Sequence, residues 1–180
     1  LNLDTRTLEG YDIGIYYELE TGIGDFDFSY NGAYYTKFEQ TASNPRSLAV
    51  IAAKASDPTI TYPLIGLGDL LGINGNQEDR HSASLSWRKG DWSAGITGYR
   101  ISGFDQILSS GDPFPIPSMT TYNAKVDYSF DVGEVDTRVR LGANNVTDER
   151  APLADTSYGF FNDAHRDWGR YYYVDVRMRF

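Results

Sequence analysis

The amino-acid sequence predicts an all-β protein built from long antiparallel strands, and three observations lead to this prediction. Apolar and polar residues alternate with a period of two in seven segments, which is typical of strands with one apolar and one polar face. Aromatic residues make up 14% of the 180 residues, and aromatic side chains are enriched in strands. The connections between the seven segments alternate between short and long, as in a series of hairpins.

The predicted strands are roughly ten residues long or longer, against the ~5–6 residues that are usual in soluble sheets. A strand that crosses a bilayer needs ~9–11 residues, so this length favours a transmembrane antiparallel β-barrel. In chain order the predicted strands cover residues 8–20, 25–40, 80–88, 92–101, 120–130, 135–145 and 169–180.

Each of the first six strands separates its side chains into an apolar and a polar set. The apolar sets of the first two strands are Tyr11, Ile13, Ile15, Tyr17 and Leu19, then Phe26, Phe28, Tyr30, Tyr34 and Phe38. Those of the next two are Ala83, Leu85 and Trp87, then Trp92, Ala94 and Ile96. Those of the fifth and sixth are Tyr122, Val126, Tyr128 and Phe130, then Val135, Val139 and Leu141.

The last strand shows the same separation and ends on Phe180. Its apolar set is predicted to face lipid and consists of Tyr172, Val174, Val176 and Met178. The polar sets of the last strands are predicted to face a water-filled lumen. The charged lumen-facing residues are Lys125, Asp127, Arg138, Arg140, Arg177 and Arg179.

Aromatic residues concentrate near the strand ends on the apolar faces. Membrane barrels place such residues in two girdles, where the ring bodies are buried and the polar edges stay in water. The girdle candidates are Tyr11, Phe26, Phe38, Trp87, Trp92, Tyr122, Tyr128, Phe130, Tyr172 and Phe180.

The connections predict which end of the sheet carries the loops. The short turns TGIG, KGD and DVGE suit hairpins, whereas residues 41–79, 102–119 and 146–168 form long segments. The first long segment predicts a helix over SLAVIAAKA with Asn44 as the cap and Pro45 in the first turn, followed by a glycine-rich loop over residues 63–76.

Composition excludes several classes of function. A formal net charge of −9 argues against a nucleic-acid partner, because phosphate binding needs a concentrated basic surface. The chain has no cysteine, and its two histidines are far apart in sequence, so no thiolate or paired-histidine metal site is predicted. No metal and no cofactor are expected.

A soluble β-sandwich also shows alternation, but its strands are usually shorter.

The last long segment carries the candidate ligand contacts, because aromatic rings stack on flat or sugar-like ligands and arginine pairs with anions. They are Tyr158, Phe160, Phe161, His165, Arg166 and Trp168. The alternative is that these rings pack the loop onto its neighbours.

Four stretches resemble the TonB-dependent receptors of the outer membrane: LEGYDIGIYYELETG, KGDWSAGITGYRISGF, LGANNVTDERAP and the closing GRYYYVDVRMRF. The third is similar to the family segment of a glycine, two asparagines, a hydrophobic residue, an acidic residue and a proline. Thr147 stands where a phenylalanine is common, which is a mild departure.

The resemblance implies the C-terminal third of a barrel with about 22 strands and an internal plug, in the outer membrane of a Gram-negative bacterium. It implies energy-coupled uptake of a scarce solute such as a ferric siderophore, and it implies Phe180 as an assembly signal. The plug and the contact with the inner-membrane TonB complex are expected outside residues 1–180, and the implied partners are the rest of the barrel, the plug, the bilayer and the imported ligand.

Two other interpretations remain from the sequence. One is a small, complete outer-membrane barrel of about eight strands with a structural or adhesive role. The other is a membrane-embedded hydrolase, for which the serines Ser109, Ser110 and Ser157 show no evident base. No enzyme is predicted.

Overall fold

The computed structural model describes residues 4–60 and 66–180, and these residues form one large sheet, one small sheet and one helix. The first three residues of the predicted glycine-rich loop lie outside the described residues. The strands are β1 (Thr5–Thr21), β2 (Gly24–Thr41), β3 (Gly68–Asp69), β4 (Asp79–Lys89), β5 (Trp92–Ile101), β6 (Phe104–Ile107), β7 (Pro113–Ile116), β8 (Met119–Val132), β9 (Val135–Asn144) and β10 (Tyr171–Arg179), and the helix is α1 (Pro45–Ser56).

The seven long strands lie side by side in the order of the sequence, β1-β2-β4-β5-β8-β9-β10, and every neighbouring pair is antiparallel. The all-β, antiparallel class is therefore confirmed. Within the described residues the sheet is open, with β1 and β10 at its two edges, so no closed barrel is seen. The small pair β6-β7 forms a second sheet, and β3 pairs with the end of β2.

The three short turns are hairpins with two-residue connections, as predicted. They join Thr21 to Gly24, Lys89 to Trp92 and Val132 to Val135. Gly90 and Gly133 occupy the first central position of their turns with φ of 56° and 65°. Glycine adopts a positive φ without a steric penalty, which is what a type II′ hairpin turn requires.

The register keeps the apolar residues of neighbouring strands on one face. Phe28 lies opposite Leu85, Leu85 opposite Ile96, and Leu141 opposite Val174. This face is exposed: the exposed fractions are 46% for Ile96 and 66% for Val174. Directly opposite residues of an antiparallel pair share a face, so Tyr172, Val174, Val176 and Met178 all belong to it. The sheet itself therefore encloses no core.

The pairing of β1 with β2 contains one irregularity that corrects a predicted side-chain direction. Glu9 lies opposite Lys37 whereas Gly10 lies opposite Tyr35, so Thr36 is an extra residue in β2, a β-bulge. Beyond the bulge the alternation of β2 is inverted. Phe38 was predicted on the apolar face with Phe26, but it lines a cavity of the opposite face, which makes that prediction wrong.

Helix α1 is confirmed with its predicted cap. The side chain of Asn44 accepts hydrogen bonds from the backbone N–H of Arg46 and Ser47, each at 2.9 Å, and Pro45 opens the helix. Asp4 anchors this end of the helix, because its carboxylate accepts from Asn44 Nδ2 at 2.7 Å and from Ser47 Oγ at 2.8 Å. No residue of the helix is buried.

Candidate functional site

The three long connections meet at one end of the sheet, where residues 66–78, 102–118 and 145–170 pack together; we call this region the loop layer. Ile73 forms an isolated parallel bridge with Asp105. The backbone N–H of Asn74 donates to the carbonyl oxygen of Asp105, and that of Asp105 donates to the carbonyl oxygen of Gly72, both at 2.8 Å. The loops therefore form one folded unit rather than separate segments.

The buried apolar side chains of the described residues are Phe104 and Ile116 in the loop layer and Met119, which begins the adjoining strand β8. The Phe104 ring meets Phe161 edge-on at 5.1 Å and lies parallel to the His165 ring at 5.7 Å, both measured between centroids. The Gln106 side chain donates to the carbonyl oxygen of Asp155 and accepts from its N–H, each at 2.8 Å. These contacts bind the last loop to the β6-β7 pair.

The structure buries some of the six predicted ligand contacts in the loop layer and leaves others exposed to solvent. Phe161 and His165 lie in the core of the loop layer, and His165 is only 1% exposed. Neither ring nitrogen of His165 has a hydrogen-bond partner among the described residues, and burial lowers the pKa of this imidazole. Its neutral form is therefore favoured.

The other members of the set are more accessible. Tyr158 is 71% exposed and lies at 6.3 Å from the half-buried Phe160, measured between ring centroids. Trp168 is 66% exposed, and the guanidinium carbon of Arg166 lies 5.9 Å from its ring centroid. Tyr158, Arg166 and Trp168 are thus the members of the set that a solute could reach without displacing the core.

The base of the last loop is fixed by polar contacts. Asn145 Nδ2 donates to the carbonyl oxygens of Glu149 at 2.7 Å and Trp168 at 2.9 Å. The guanidinium of Arg150 donates two hydrogen bonds to the Asp167 carboxylate, and the N–H of Ala151 adds a third. The Arg150 hydrogen bonds lower the pKa of Asp167 to about 2, so this carboxylate is charged over most of the pH range.

The polar face of the sheet holds a charged cluster at the end opposite the loop layer. Asp127 is 3% exposed and accepts from Arg140 Nε at 2.6 Å and from Ser93 Oγ at 3.2 Å, while Arg138 Nε lies 3.9 Å away. Lys125 shares this face. Arg138 also lines a cleft of about 130 Å³ with Arg177 and Arg179, so all six predicted lumen-facing residues lie on one face.

Two cavities adjoin on the polar face beneath the loop layer. The larger has a volume of about 590 Å³, and its lining includes Asp12, Asn31, Ala33, Arg80, Ser82 and Tyr99. The smaller has about 180 Å³ and is lined by Leu8, Tyr35, Phe38, Leu71, Gly75, Asn76, Gln77 and Arg80. Arg80 borders both cavities, and its Nε donates to Gln77 Oε1 at 2.6 Å.

These cavity residues were missed by the sequence reasoning, which placed every ligand contact in the last loop. Asp12, Arg80 and Tyr99 belong to the polar positions of three different strands. The alternation alone marks them as polar, but only the register shows that Asp12 and Arg80 lie on either side of Ala33.

A separate polar chain lies on the apolar face near the loop layer. Asp79 Oδ1 lies 2.7 Å from His81 Nε2, His81 Nδ1 lies 2.8 Å from the Tyr30 hydroxyl, and this hydroxyl lies 2.8 Å from that of Tyr34. The Tyr11 ring stacks on Tyr34 at 5.1 Å. The hydrogen bonds satisfy the polar tips of side chains whose rings lie on an apolar surface.

Over residues 4–60 and 66–180, no group of three or more His, Asp or Glu side chains could hold a metal ion. No helix in this part of the chain is both long and apolar enough to cross a membrane. Comparisons with protein-family models, with curated proteins and with solved structures find no match for this chain.

Proposed function

We propose that this chain forms part of the wall of an outer-membrane barrel that takes up a scarce solute, such as a ferric siderophore, in the manner of a TonB-dependent receptor. The observation that carries the proposal is the exposed apolar face, which continues across seven strands from Ile15 on β1 to Val174 on β10. A soluble sheet covers such a face with other protein, whereas a lipid bilayer covers it without further chain.

Strand length supports the same proposal. β5, which runs from Trp92 to Ile101, has 10 residues. At about 3.4 Å per residue and a tilt near 40°, it rises roughly 26 Å, close to the ~25 Å apolar band of a membrane barrel.

The open edges support a larger assembly. An unpaired strand edge in lipid leaves backbone N–H and C=O groups without partners, at a cost of several kcal/mol for each group. β1 and β10 would therefore pair with further strands, and the barrel thus closed would hold the plug. The inner-membrane TonB complex would act on that plug.

In this proposal the two faces and the loop layer have separate roles. The polar face, with Asp127, Arg140 and the cavity at Arg80, lines the lumen and touches the plug. The loop layer lies at the outer surface and captures the solute, with Tyr158, Arg166 and Trp168 as its accessible contacts.

The decisive experiment is the intact mass of the denatured polypeptide that carries this sequence, purified from outer membranes. A mass several times the 20.2 kDa of these 180 residues supports a one-chain, plugged transporter. A mass near 20 kDa with a co-purifying partner chain supports a split transporter. A mass near 20 kDa without a partner contradicts the transporter and favours the small complete barrel.

A further inference from the structure

The charged residues that line the larger cavity are Asp12, Arg80 and Arg100, and of these Asp12 and Arg80 have opposite charges and belong to the polar face. Asp12 lies opposite Ala33 on β2, and Ala33 lies opposite Arg80 on β4, so the three residues form one row across the sheet. The two charged side chains are therefore about 9–10 Å apart at their Cα atoms, which is two strand spacings. Neither makes an ion pair with any residue that the structure describes.

Gln77 holds one edge of the exposed Arg80 side chain, and the rest of its guanidinium is open to solvent or to a ligand. Gln77 Oε1 accepts from Arg80 Nε at 2.6 Å, and the described residues supply no partner for the two terminal guanidinium nitrogens. Gln77 itself is 3% exposed, and its Nε2 also lacks a hydrogen-bond partner there. A buried amide without a partner costs about 1–3 kcal/mol. Gln77 lines the smaller cavity, so water or a ligand there would complete its hydrogen bonds, and Arg80, which borders both cavities, links this position to the larger one.

The floor between the two charges is low and polar. It consists of the small residues Gly14, Ala33 and Ser82, together with Asn31. Asn31 lines the cavity, and the Tyr16 hydroxyl donates to its Oδ1 at 2.7 Å, so the Asn31 amide nitrogen remains available as a donor. Tyr99, 47% exposed, forms one wall of the cavity.

From this arrangement we infer that the cavity binds a zwitterionic solute with the chemistry of a short peptide, whose ammonium group pairs with Asp12 and whose carboxylate pairs with Arg80. An extended chain covers at most ~3.3–3.6 Å per residue, so the termini of a tripeptide span about 10 Å, close to the separation of the Cα atoms of Asp12 and Arg80. Asn31 supplies a hydrogen bond to the peptide backbone between the termini. This inference rests on the proposed uptake function, because it names the class of solute that the lumen accepts.

The test is calorimetric titration of the full-length protein in detergent with three probes: tri-alanine, N-acetyl-tri-alanine and tri-alanine amide. The second probe lacks the cation and the third lacks the anion. We expect tri-alanine to bind roughly tenfold more tightly than either capped peptide, the value of about one charge-assisted hydrogen bond at each end.

Two variants assign each terminus to its residue. Asp12→Asn is expected to weaken tri-alanine binding roughly tenfold and to leave the affinity for N-acetyl-tri-alanine unchanged. Arg80→Gln is expected to weaken tri-alanine binding roughly tenfold and to leave the affinity for tri-alanine amide unchanged. Glu18→Gln is the matched control, since Glu18 lies on the same strand and face as Asp12 but outside the cavity. The inference is overturned if the three peptides bind equally, if none of them binds, or if only the Glu18→Gln control loses affinity.

Uptake of radiolabelled tri-alanine by cells separates this inference from the proposed function. Binding by the purified protein without energy-dependent uptake contradicts the transport proposal and leaves the peptide site in place. Energy-dependent uptake that is lost in cells without this protein but unchanged in Asp12→Asn and Arg80→Gln contradicts the peptide site and leaves the transport proposal in place.

Discussion

At the scale of single residues, Gly10 permits the close approach of β1 and β2 beside the β-bulge of β2. A Cβ atom at Gly10 would overlap the backbone carbonyl oxygen of Tyr34, which belongs to the strand opposite. The close approach accompanies the bulge at Thr36, and the bulge turns Phe38 toward the smaller cavity, which Leu8 on β1 also lines. The absence of a side chain at one position therefore helps to shape the cavity.

Gly10→Ala is expected to destabilise this end of the β1-β2 pair by roughly 1–3 kcal/mol, the usual cost of overpacking. We expect faster hydrogen exchange of the backbone amides in residues 5–9 and 37–41, and hydrogen-exchange measurements on these amides test the prediction. Gly14→Ala is the matched control on the same strand and face, because its Cβ would meet side-chain atoms rather than backbone, the Tyr16 ring at 3.2 Å and Asn31 Oδ1 at 3.7 Å. Equal exchange in the two variants would contradict the role given to Gly10.

Asp167 makes the last loop sensitive to strong acid. Its pKa lies near 2, below the ordinary value of 3.8, because the Arg150 guanidinium and the Ala151 N–H bind the charged form. A lowered carboxyl pKa stabilises the folded loop fully above pH 3.8, and this contribution is lost as the pH falls through 2. The contact therefore persists throughout the physiological range.

The carboxyl carbon of Asp167 should titrate with a midpoint near pH 2 in an NMR experiment, and Arg150→Gln should move this midpoint upward toward 3.8. Arg166→Gln is the control: Arg166 belongs to the same loop but lies over the Trp168 ring, and it should leave the midpoint unchanged. A midpoint near 3.8 in the unsubstituted protein contradicts the assigned hydrogen bonds.

At the scale of elements, α1 depends on its cap rather than on packing. The helix has 12 residues, none of them buried, and Leu48 is 50% exposed. Helices of this length are marginal in water without tertiary contacts, so the hydrogen bonds of Asn44 and the anchoring by Asp4 provide much of its stability.

Asn44→Ala should cost about 0.5–2 kcal/mol, which corresponds to a roughly 2- to 30-fold faster exchange of the helix amides. Asn44→Asp is the matched variant for the cap, because a carboxylate oxygen also accepts from the N–H groups of the first turn. Asn44→Asp also places a second carboxylate beside Asp4. Helix exchange in Asn44→Ala and Asn44→Asp is therefore compared at low pH as well as at neutral pH. Unchanged helix exchange in Asn44→Ala would show that other contacts hold α1.

The elements differ in how well the sequence predicts them, and the reason is the range of the interactions that form them. The long strands and α1 are predicted because alternation and capping are local patterns, readable within about ten residues. The loop layer depends on contacts such as Phe104 with His165 and Gln106 with Asp155, which join segments that are distant in sequence. No local pattern marks such pairs, and the bulge at Thr36 likewise follows from a pairing between two strands.

At the scale of the whole molecule, the candidate cavity also required the register. Asp12 and Arg80 are 68 positions apart in the sequence, and only the strand order β1-β2-β4 places them in one row across the sheet. The apolar face, in contrast, was predictable, because each strand contributes to it through its own alternation. The surface that contacts lipid in the proposal is therefore encoded locally, and the solute site is encoded by the assembled sheet.

This difference between the two faces gives a prediction for the whole molecule. Ile96 and Thr97 are adjacent in the middle of β5, and they project to the apolar and the polar face respectively. A lysine at the bilayer midplane costs about 2–4 kcal/mol, whereas a lysine in a water-filled lumen costs little. Ile96→Lys should therefore lower the free energy of unfolding from lipid vesicles, measured in urea titrations, by about 2–4 kcal/mol. Thr97→Lys should change the same free energy by less than about 1 kcal/mol.

The same pair of variants distinguishes lipid from covering protein when the lipid is changed. Brominated lipids quench tryptophans that contact acyl chains, and Trp92, 49% exposed on the apolar face, reports this contact. Quenching of Trp92 together with a large effect of Ile96→Lys supports a membrane wall. A large effect of Ile96→Lys without lipid quenching at any tryptophan of the apolar face would mean that protein covers this face, and it would contradict the membrane proposal.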